Sequence, residues 1–356
     1  MTITHLELRD WCSYHTLSLD LPAGLTLIEG ANGSGKSNLA EAIYYLSLAH
    51  SWRSDDLKAL IKEGAASANV TATLVEGALN RQISITLTPQ GKRIEVNGKP
   101  IKRLSELSKL VNVILFAPPD TGLFTGSPGD RRAFLDVSLS KQSLDYFSLI
   151  GKFNRLLEER NAALKKPHPD KVYLGVVTDR LIEVEEPLAQ YRSLYVGQLN
   201  ELLSGLASEL YGEKRTAKIV YRPFVKLGDG YKEAAKSLYD KSLDGDLLRK
   251  STSVGIHHED FVLLLDGKDI AAYGSQGENR LAAIAIKLAP FFLIEDPTKK
   301  PIVVLDDVYS ELDAEHSSRL TALLQKLQQT FVTAAKLDIE GASIIDVASN
   351  MATRRK

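Results

Sequence analysis

Residues 30–37 read Gly30-Ala31-Asn32-Gly33-Ser34-Gly35-Lys36-Ser37, a complete GxxxxGK[ST] pattern. The pattern follows a short apolar run of buried-strand type, Leu25-Thr26-Leu27-Ile28, and precedes a helical stretch, Leu39 to Leu48. Strand, glycine-rich loop and helix in that order form a phosphate cradle. The glycines let backbone amides turn inward around phosphate oxygens, and the helix presents its positive N-terminal end. Lys36 is placed to reach the β- and γ-phosphates, and the Ser37 hydroxyl to ligate Mg²⁺. The segment Gly30 to Asn38 is therefore expected to hold ATP within an α/β fold.

A second apolar strand, Pro301-Ile302-Val303-Val304-Leu305, ends in Asp306-Asp307. Ligands bind at the carboxyl ends of parallel strands, so a strand beside the phosphate loop would project both carboxylates at the nucleotide. Asp306 is expected to hold Mg²⁺, and Asp307 to orient or deprotonate the attacking water. Upstream lies Tyr273-Gly274-Ser275-Gln276-Gly277-Glu278-Asn279-Arg280. Ser275 and Glu278 have the spacing of a helix capping box, with Leu281, Ile284, Ala285 and Leu288 as the buried face.

Outward from these motifs the texture changes twice. The first third alternates with a two-residue period (Ile3 to Leu8, then Leu17, Leu19, Leu21) and carries further strand candidates at 69–74, 82–87 and 93–96. Helical spacing and charge dominate from about 130 to 250, with a break at Lys165–Asp170, a helix over 176–210 and a shorter one over 233–238. Strand pattern returns at Phe261–Leu265. It is followed by a helix from Gln276, the strand 302–305, a helix over 314–328 and a last strand candidate at 330–334. The expected division is 1–135 and 251–356 as two parts of one α/β head, with 136–250 as an inserted helical lobe.

Composition limits the rest. The 356 residues are 44% hydrophobic and 25% charged, with a formal net charge of −1, so nucleic-acid contact must come from a local patch rather than bulk charge. The single cysteine, Cys12, excludes an internal disulfide and a thiolate zinc cage, as suits a reducing cytosol. The most apolar window, Leu281–Ile294, is interrupted by Lys287 and Pro290 and is too short for a bilayer. The start, MTITHLELRD, lacks the features of a secretory signal, so a cytoplasmic protein is expected. Adjacent residues of His257-His258-Glu259-Asp260 would point to opposite faces of a strand, which makes the run a poor chelate. Arg131-Arg132 could contact DNA phosphate or organise the nucleotide lobe, with a solvated surface as the equal alternative. Lys152, Arg155, Arg160, Lys165 and Lys166 read as a solvated face.

The order of these motifs resembles the ABC/SMC-like ATPases, and within them the recombination mediators. The likeness rests on Leu8-Arg9-Asp10-Trp11, Gly30 to Ser37, Leu115 to Asp120, Gly126-Ser127-Pro128, Arg131-Arg132-Ala133-Phe134-Leu135-Asp136, Gly255 to Asp260, Ser275-Gln276-Gly277 and Leu305 to Asp313. It implies a P-loop ATPase head with an inserted helical second lobe, dimerising around two ATPs and clamping DNA. In such heads Ser275, Gln276 and Gly277 would meet the γ-phosphate held by the opposite subunit. Slow, DNA-stimulated hydrolysis with Lys36 and Asp307 as catalytic residues is implied as well. So are duplex DNA near single-strand gaps, RecR and RecO as partners, and no membrane. This chain departs from the pattern at Cys12-Ser13 (usually Arg-Asn), Pro119-Asp120 (Glu-Asp), Glu278 (Gln), His258-Glu259 (Arg-Asp) and Thr333, near the place of a switch histidine. A transporter subunit would be shorter and carry LSGGQ, and a filament protein would need hundreds of heptad residues. A non-hydrolysing, ATP-gated scaffold is the remaining alternative.

Overall fold

The computed structural model describes residues 1–101 and 104–355. Its contacts divide into two units: Met1–Thr121, Gly205–Lys214 and Arg280 onward form the first, and Gly122–Ser204 with Arg215–Asn279 form the second. The second unit is thus wider than the expected 136–250 lobe and includes the Ser275 segment. In chain order the elements are β1 (Thr2–Trp11), β2 (Tyr14–Asp20), β3 (Gly24–Glu29), α1 (Lys36–Leu48), β4 (Ala68–Glu76), β5 (Leu79–Thr88), β6 (Gly91–Val96), β7 (Lys99–Pro100), α2 (Leu104–Leu110) and β8 (Val113–Phe116). Next come α3 (Pro128–Gln142), α4 (Leu144–Leu164), α5 (Lys171–Tyr211), β9 (Ala217–Arg222), α6 (Tyr231–Arg249), β10 (Asp260–Leu265), β11 (Lys268–Asp269) and α7 (Ile270–Tyr273). The chain closes with α8 (Gln276–Leu293), β12 (Ile302–Leu305), α9 (Ala314–Leu324), β13 (Gln329–Ala334), β14 (Ser343–Ala348) and β15 (Met351–Arg354).

The first unit holds two six-stranded sheets. One has the order β2-β1-β4-β5-β6-β7 and is antiparallel, so its strands alternate buried and solvated residues, as along Ala68, Val70, Ala72 and Leu74. The other has the order β15-β14-β3-β13-β12-β8, parallel except for β15. Its strands β12 and β13 are buried along their whole length: β12 is wholly apolar, whereas β13 buries Gln329, Thr330 and Thr333 beside its apolar residues. Helix α1 packs against strands of both sheets, and Trp11 meets Tyr45 edge-on at 5.1 Å within the shared core.

Several elements differ from the sequence reading, among them strand β9 (Ala217–Arg222) within the stretch expected to be helical. The last strand is not 330–334, because β14 and β15 follow it. β14 lies beside β3 in parallel, pairing Ile344 with Leu27 and Asp346 with Glu29. Its alternation is only a few residues long, and the joining turn is Ser349-Asn350, both at positive φ (50° and 60°). That is the backbone of a two-residue hairpin turn without its usual glycine. Helix α6 spans 19 residues rather than six, because its only buried side chains are Tyr231, Ala235, Tyr239 and Asp246, too sparse to read as periodicity. α5 runs 41 residues straight through Pro187. α9 stops at Leu324, with Leu327 buried beyond it in the following turn.

The second unit is held by buried arginines. Arg131 forms a bidentate pair with Asp260 (2.7 and 2.9 Å) and donates to the carbonyls of Phe124 and Gly126, both at 3.0 Å. Arg132 donates to the Glu259 carbonyl at 2.8 Å. Arg192 bridges Asp136 (2.8 Å) and Glu259 (2.7 Å). The Arg131-to-Asp136 and His257-to-Asp260 segments therefore lock to each other, and Arg131 is buried in an ion pair rather than on a solvated surface. Burial opposes the Asp260 charge most strongly, but the Arg131 hydrogen bonds, the Phe261 amide and the Arg131 and Arg132 charges together outweigh it and hold the carboxyl below its usual range. Arg160, expected on a solvated face, is buried against Asp246 (2.8 Å), Thr178 and Thr252. Its helix turns that position inward, where a charge persists only if fully paired.

Candidate functional site

The phosphate loop leaves the carboxyl end of β3 and enters α1 at Gly35, whose φ of 109° is open to glycine at little cost. Gly30 is required for another reason. A Cβ there would lie 2.2 Å from the Val347 carbonyl oxygen and 2.6 Å from Ser34 Oγ. The β14–β15 turn, missed in the sequence, thus backs the loop, and the Asn350 amide donates to the Ser34 carbonyl at 3.3 Å. On another side the Tyr14 hydroxyl donates to the Gly35 carbonyl at 3.1 Å. Lys36 Nζ spans the loop, donating to the carbonyls of Gly30 and Ala31 at 2.8 Å each.

In the strand order β3-β13-β12, one strand separates the loop from the acidic strand end. The fold closes this gap with hydroxyls. Ser37 Oγ donates to Asp306 Oδ1 at 2.9 Å, and Thr333 Oγ1 on β13 donates to the same oxygen at 2.7 Å. Thr333 Oγ1 also accepts the Asp307 amide at 2.9 Å. Asp306 is buried, whereas the Asp307 side chain is exposed and its backbone is left-handed, at φ 53°. Arg280 donates to the carbonyls of Asp307 and Val308, both at 3.0 Å, and pairs with Glu311. Neither Arg280 nor Thr333's bridging role was visible in the sequence, because each depends on which strands become neighbours.

The departures also find places. Ser13 accepts from the Asn38 amide at 2.9 Å, and Asn38 accepts from Arg53 at 2.6 Å. Arg53 also lies 3.4 Å from Glu41, a buried carboxylate that further accepts from Ser51. Burial raises the Glu41 carboxyl above its ordinary range, against the pull of Ser51 and Arg53. Cys12 is pushed up to about 12 by burial, with Glu41 adding to it, so it is an inert thiol rather than a nucleophile. Asp120 caps the Ala117 amide (2.9 Å) and pairs with Lys287 (2.6 Å). His257 and His258 both lie near the Thr252 carbonyl, at 3.2 and 3.3 Å. Among the described residues no cluster of three or more His, Cys, Asp or Glu is placed to hold a metal. A site of the Ser37–Asp306 kind needs none, because Mg²⁺ takes one or two protein oxygens and completes its shell with phosphates and water. Those two hard oxygen donors fit that ion.

Within the second unit, Ser275, Gln276 and Gly277 are exposed at the start of α8. The capping box is formed: Glu278 accepts the Ser275 amide at 2.9 Å, and the Glu278 amide donates to Ser275 Oγ at 3.2 Å. Arg215 holds the other Glu278 oxygen at 3.0 Å. The Ser275 amide first, then Arg215, keep this carboxyl ionised below its usual range. The Glu278 charge is therefore turned back on its own helix start and is locally neutralised.

The family described as the RecF/RecN/SMC N-terminal domain matches residues 2–351. The chain is 32% identical over 355 residues to the DNA replication and repair protein RecF of Lactobacillus johnsonii, covering 96% of this chain and 94% of that protein. It is 34% identical over 357 residues to the RecF of Halalkalibacterium halodurans, covering 95% and 94%. A solved structure of the recombination mediator protein RecF with ATPrS, from the RecFOR pathway, superposes with a TM-score of 0.90 at 28% identity, covering 99% of this chain and 98% of that one.

Proposed function

The chain belongs to the RecF/RecN/SMC N-terminal domain family, and from that premise we propose an ATP-operated DNA clamp of replication and repair. Two copies close around two ATPs and grip duplex DNA near single-strand gaps, and slow, DNA-stimulated hydrolysis releases them. The full-length likeness to recombination proteins favours this over a transporter subunit. RecR and RecO are the partners that the pathway named for the solved relative points to, and the cytoplasm is the matching compartment. No helix among the described residues is long and apolar enough to cross a membrane.

The observation that carries the reading is the union of Ser37 and Asp306 at 2.9 Å, which joins the phosphate loop to the acidic strand. The loop amides of Gly30 to Asn38 hold the phosphates, and the Lys36 ammonium exchanges its two loop carbonyls for β- and γ-phosphate oxygens. Ser37 and Asp306 hold Mg²⁺, which neutralises phosphate charge when bound. Asp307 accepts a proton from water as its oxygen bonds to the γ-phosphorus and the bond to the β-phosphate oxygen breaks, leaving ADP and phosphate. Ser275 offers its hydroxyl, and Gln276 and Gly277 their helix amides, to the partner's γ-phosphate. Residues 1–135 and 251–356 supply the ATPase head, and 136–250 the helical lobe.

Asp307→Asn tests the reading, since it keeps the shape and removes the base. Binding of fluorescent ATP is expected to persist while phosphate release falls roughly a hundredfold or more. An unchanged rate of release assigns the catalytic role elsewhere.

A further inference from the structure

We propose that Thr333 and Arg280 are positioning residues for hydrolysis, clamping the Asp307 backbone so that its carboxylate is aimed at the attacking water. The proposal rests on the reading of Asp307 as the base. It starts from the backbone: at φ 53°, Asp307 occupies the left-handed conformation, which among residues with a Cβ is adopted chiefly by Asn and Asp. Every polar backbone atom there is held. The amide goes to Thr333 Oγ1 at 2.9 Å, and the carbonyl accepts from Arg280 at 3.0 Å and from Ser310 Oγ at 3.1 Å. The same Arg280 nitrogen takes the next carbonyl, that of Val308, at 3.0 Å.

The two holders are themselves fixed. Thr333 is 2% exposed and Arg280 5%, so neither has room to wander. The single Thr333 hydroxyl donates to Asp306 at 2.7 Å while accepting from Asp307, which sets the spacing between the metal-side carboxylate and the base. By contrast the Asp307 carboxylate is exposed and makes no hydrogen bond among the described residues. A device for fold stability would have tied down the side chain. Here the main chain is tied and the acid is left for a ligand, which is how a reacting group is pre-oriented.

Three variants of the full chain test the clamp. Thr333→Val removes the hydroxyl at constant shape, Thr333→Ser keeps it, and Arg280→Met removes the carbonyl donors without touching Asp306. At saturating Mg²⁺ and ATP, kcat is expected to fall roughly tenfold to a hundredfold in Thr333→Val and Arg280→Met. Fluorescent-ATP affinity measured without Mg²⁺ should stay within about twofold, and Thr333→Ser should recover kcat to within about twofold of wild type. Wild-type kcat in Thr333→Val overturns the clamp. So does a loss of ATP affinity in proportion to kcat, or a Ser variant no better than Val. Should Arg280→Met fail to fold, the Thr333 pair decides alone. The underlying reading fails separately: if Asp307→Asn hydrolyses like wild type, the base is wrong and the clamp falls with it. If Asp307→Asn is inactive and Thr333→Val is not impaired, only the clamp falls.

Discussion

Ser37 Oγ and Asp306 Oδ1 lie 2.9 Å apart although 269 positions separate them in the chain. Between them runs β13, whose Thr333 hydroxyl closes on the same carboxylate oxygen. A phosphate loop and an acidic strand end, each commonplace alone, are thereby joined, with Asp306 buried under two hydroxyls and the Asp307 carboxylate exposed.

Lys36 is the first point of attack. Lys36→Met deletes the side-chain charge expected to meet the β- and γ-phosphates and is expected to abolish binding of fluorescent ATP. Lys36→Arg should bind but hydrolyse slowly, because a planar guanidinium cannot place its charge where the ammonium sits. Unchanged affinity in the Met variant removes the loop from the account.

Much of this site was legible in the sequence, and the reason is locality. A phosphate loop, a capping box and a strand ending in carboxylates are each written within a dozen residues, so Gly30 to Ser37, Ser275 with Glu278, and Asp306-Asp307 could be read directly. What could not be read depends on long-range pairing. Thr333 matters because β13 lies between β3 and β12, and Arg280 because its guanidinium reaches the Asp307 and Val308 carbonyls. Arg160 looked solvated because nothing local announces Asp246, 86 positions away. The β14–β15 hairpin was missed because its turn, Ser349-Asn350, contains neither glycine nor proline.

Ser275 is expected to act across the dimer. Ser275→Arg places a bulky cation where the partner's γ-phosphate docks, so monomeric ATP binding survives while ATP-dependent pairing fails. Mixing it with Lys36→Met gives dimers with one composite site intact, and sedimentation well above the wild-type dimerisation midpoint should show pairing recover. A mixture no better than either variant alone contradicts the assignment in trans.

Glu185 gives the second unit a distinctive pH response. It is fully buried, accepts from Tyr239 (2.7 Å) and the Ile256 amide (3.2 Å), and burial raises its carboxyl to about 7. Since the native acid holds its proton more tightly than the unfolded one, stability falls as pH rises from about 4.5 to 7 and then levels off. Glu185→Gln keeps an acceptor without the charge. Urea unfolding should show it more stable than wild type by about 2–3 kcal/mol at pH 8, with little difference at pH 4. A destabilised variant at pH 8 contradicts this picture.

The central claim is that ATP assembles the clamp on DNA. Sedimentation velocity of the wild-type chain, with and without Mg²⁺-ATP and a gapped duplex, tests it most directly. The account predicts a monomer without nucleotide, a dimer with ATP, and DNA that co-sediments stably only when ATP is present. A chain that sediments identically with and without ATP, and binds the duplex indifferently to it, would contradict the account.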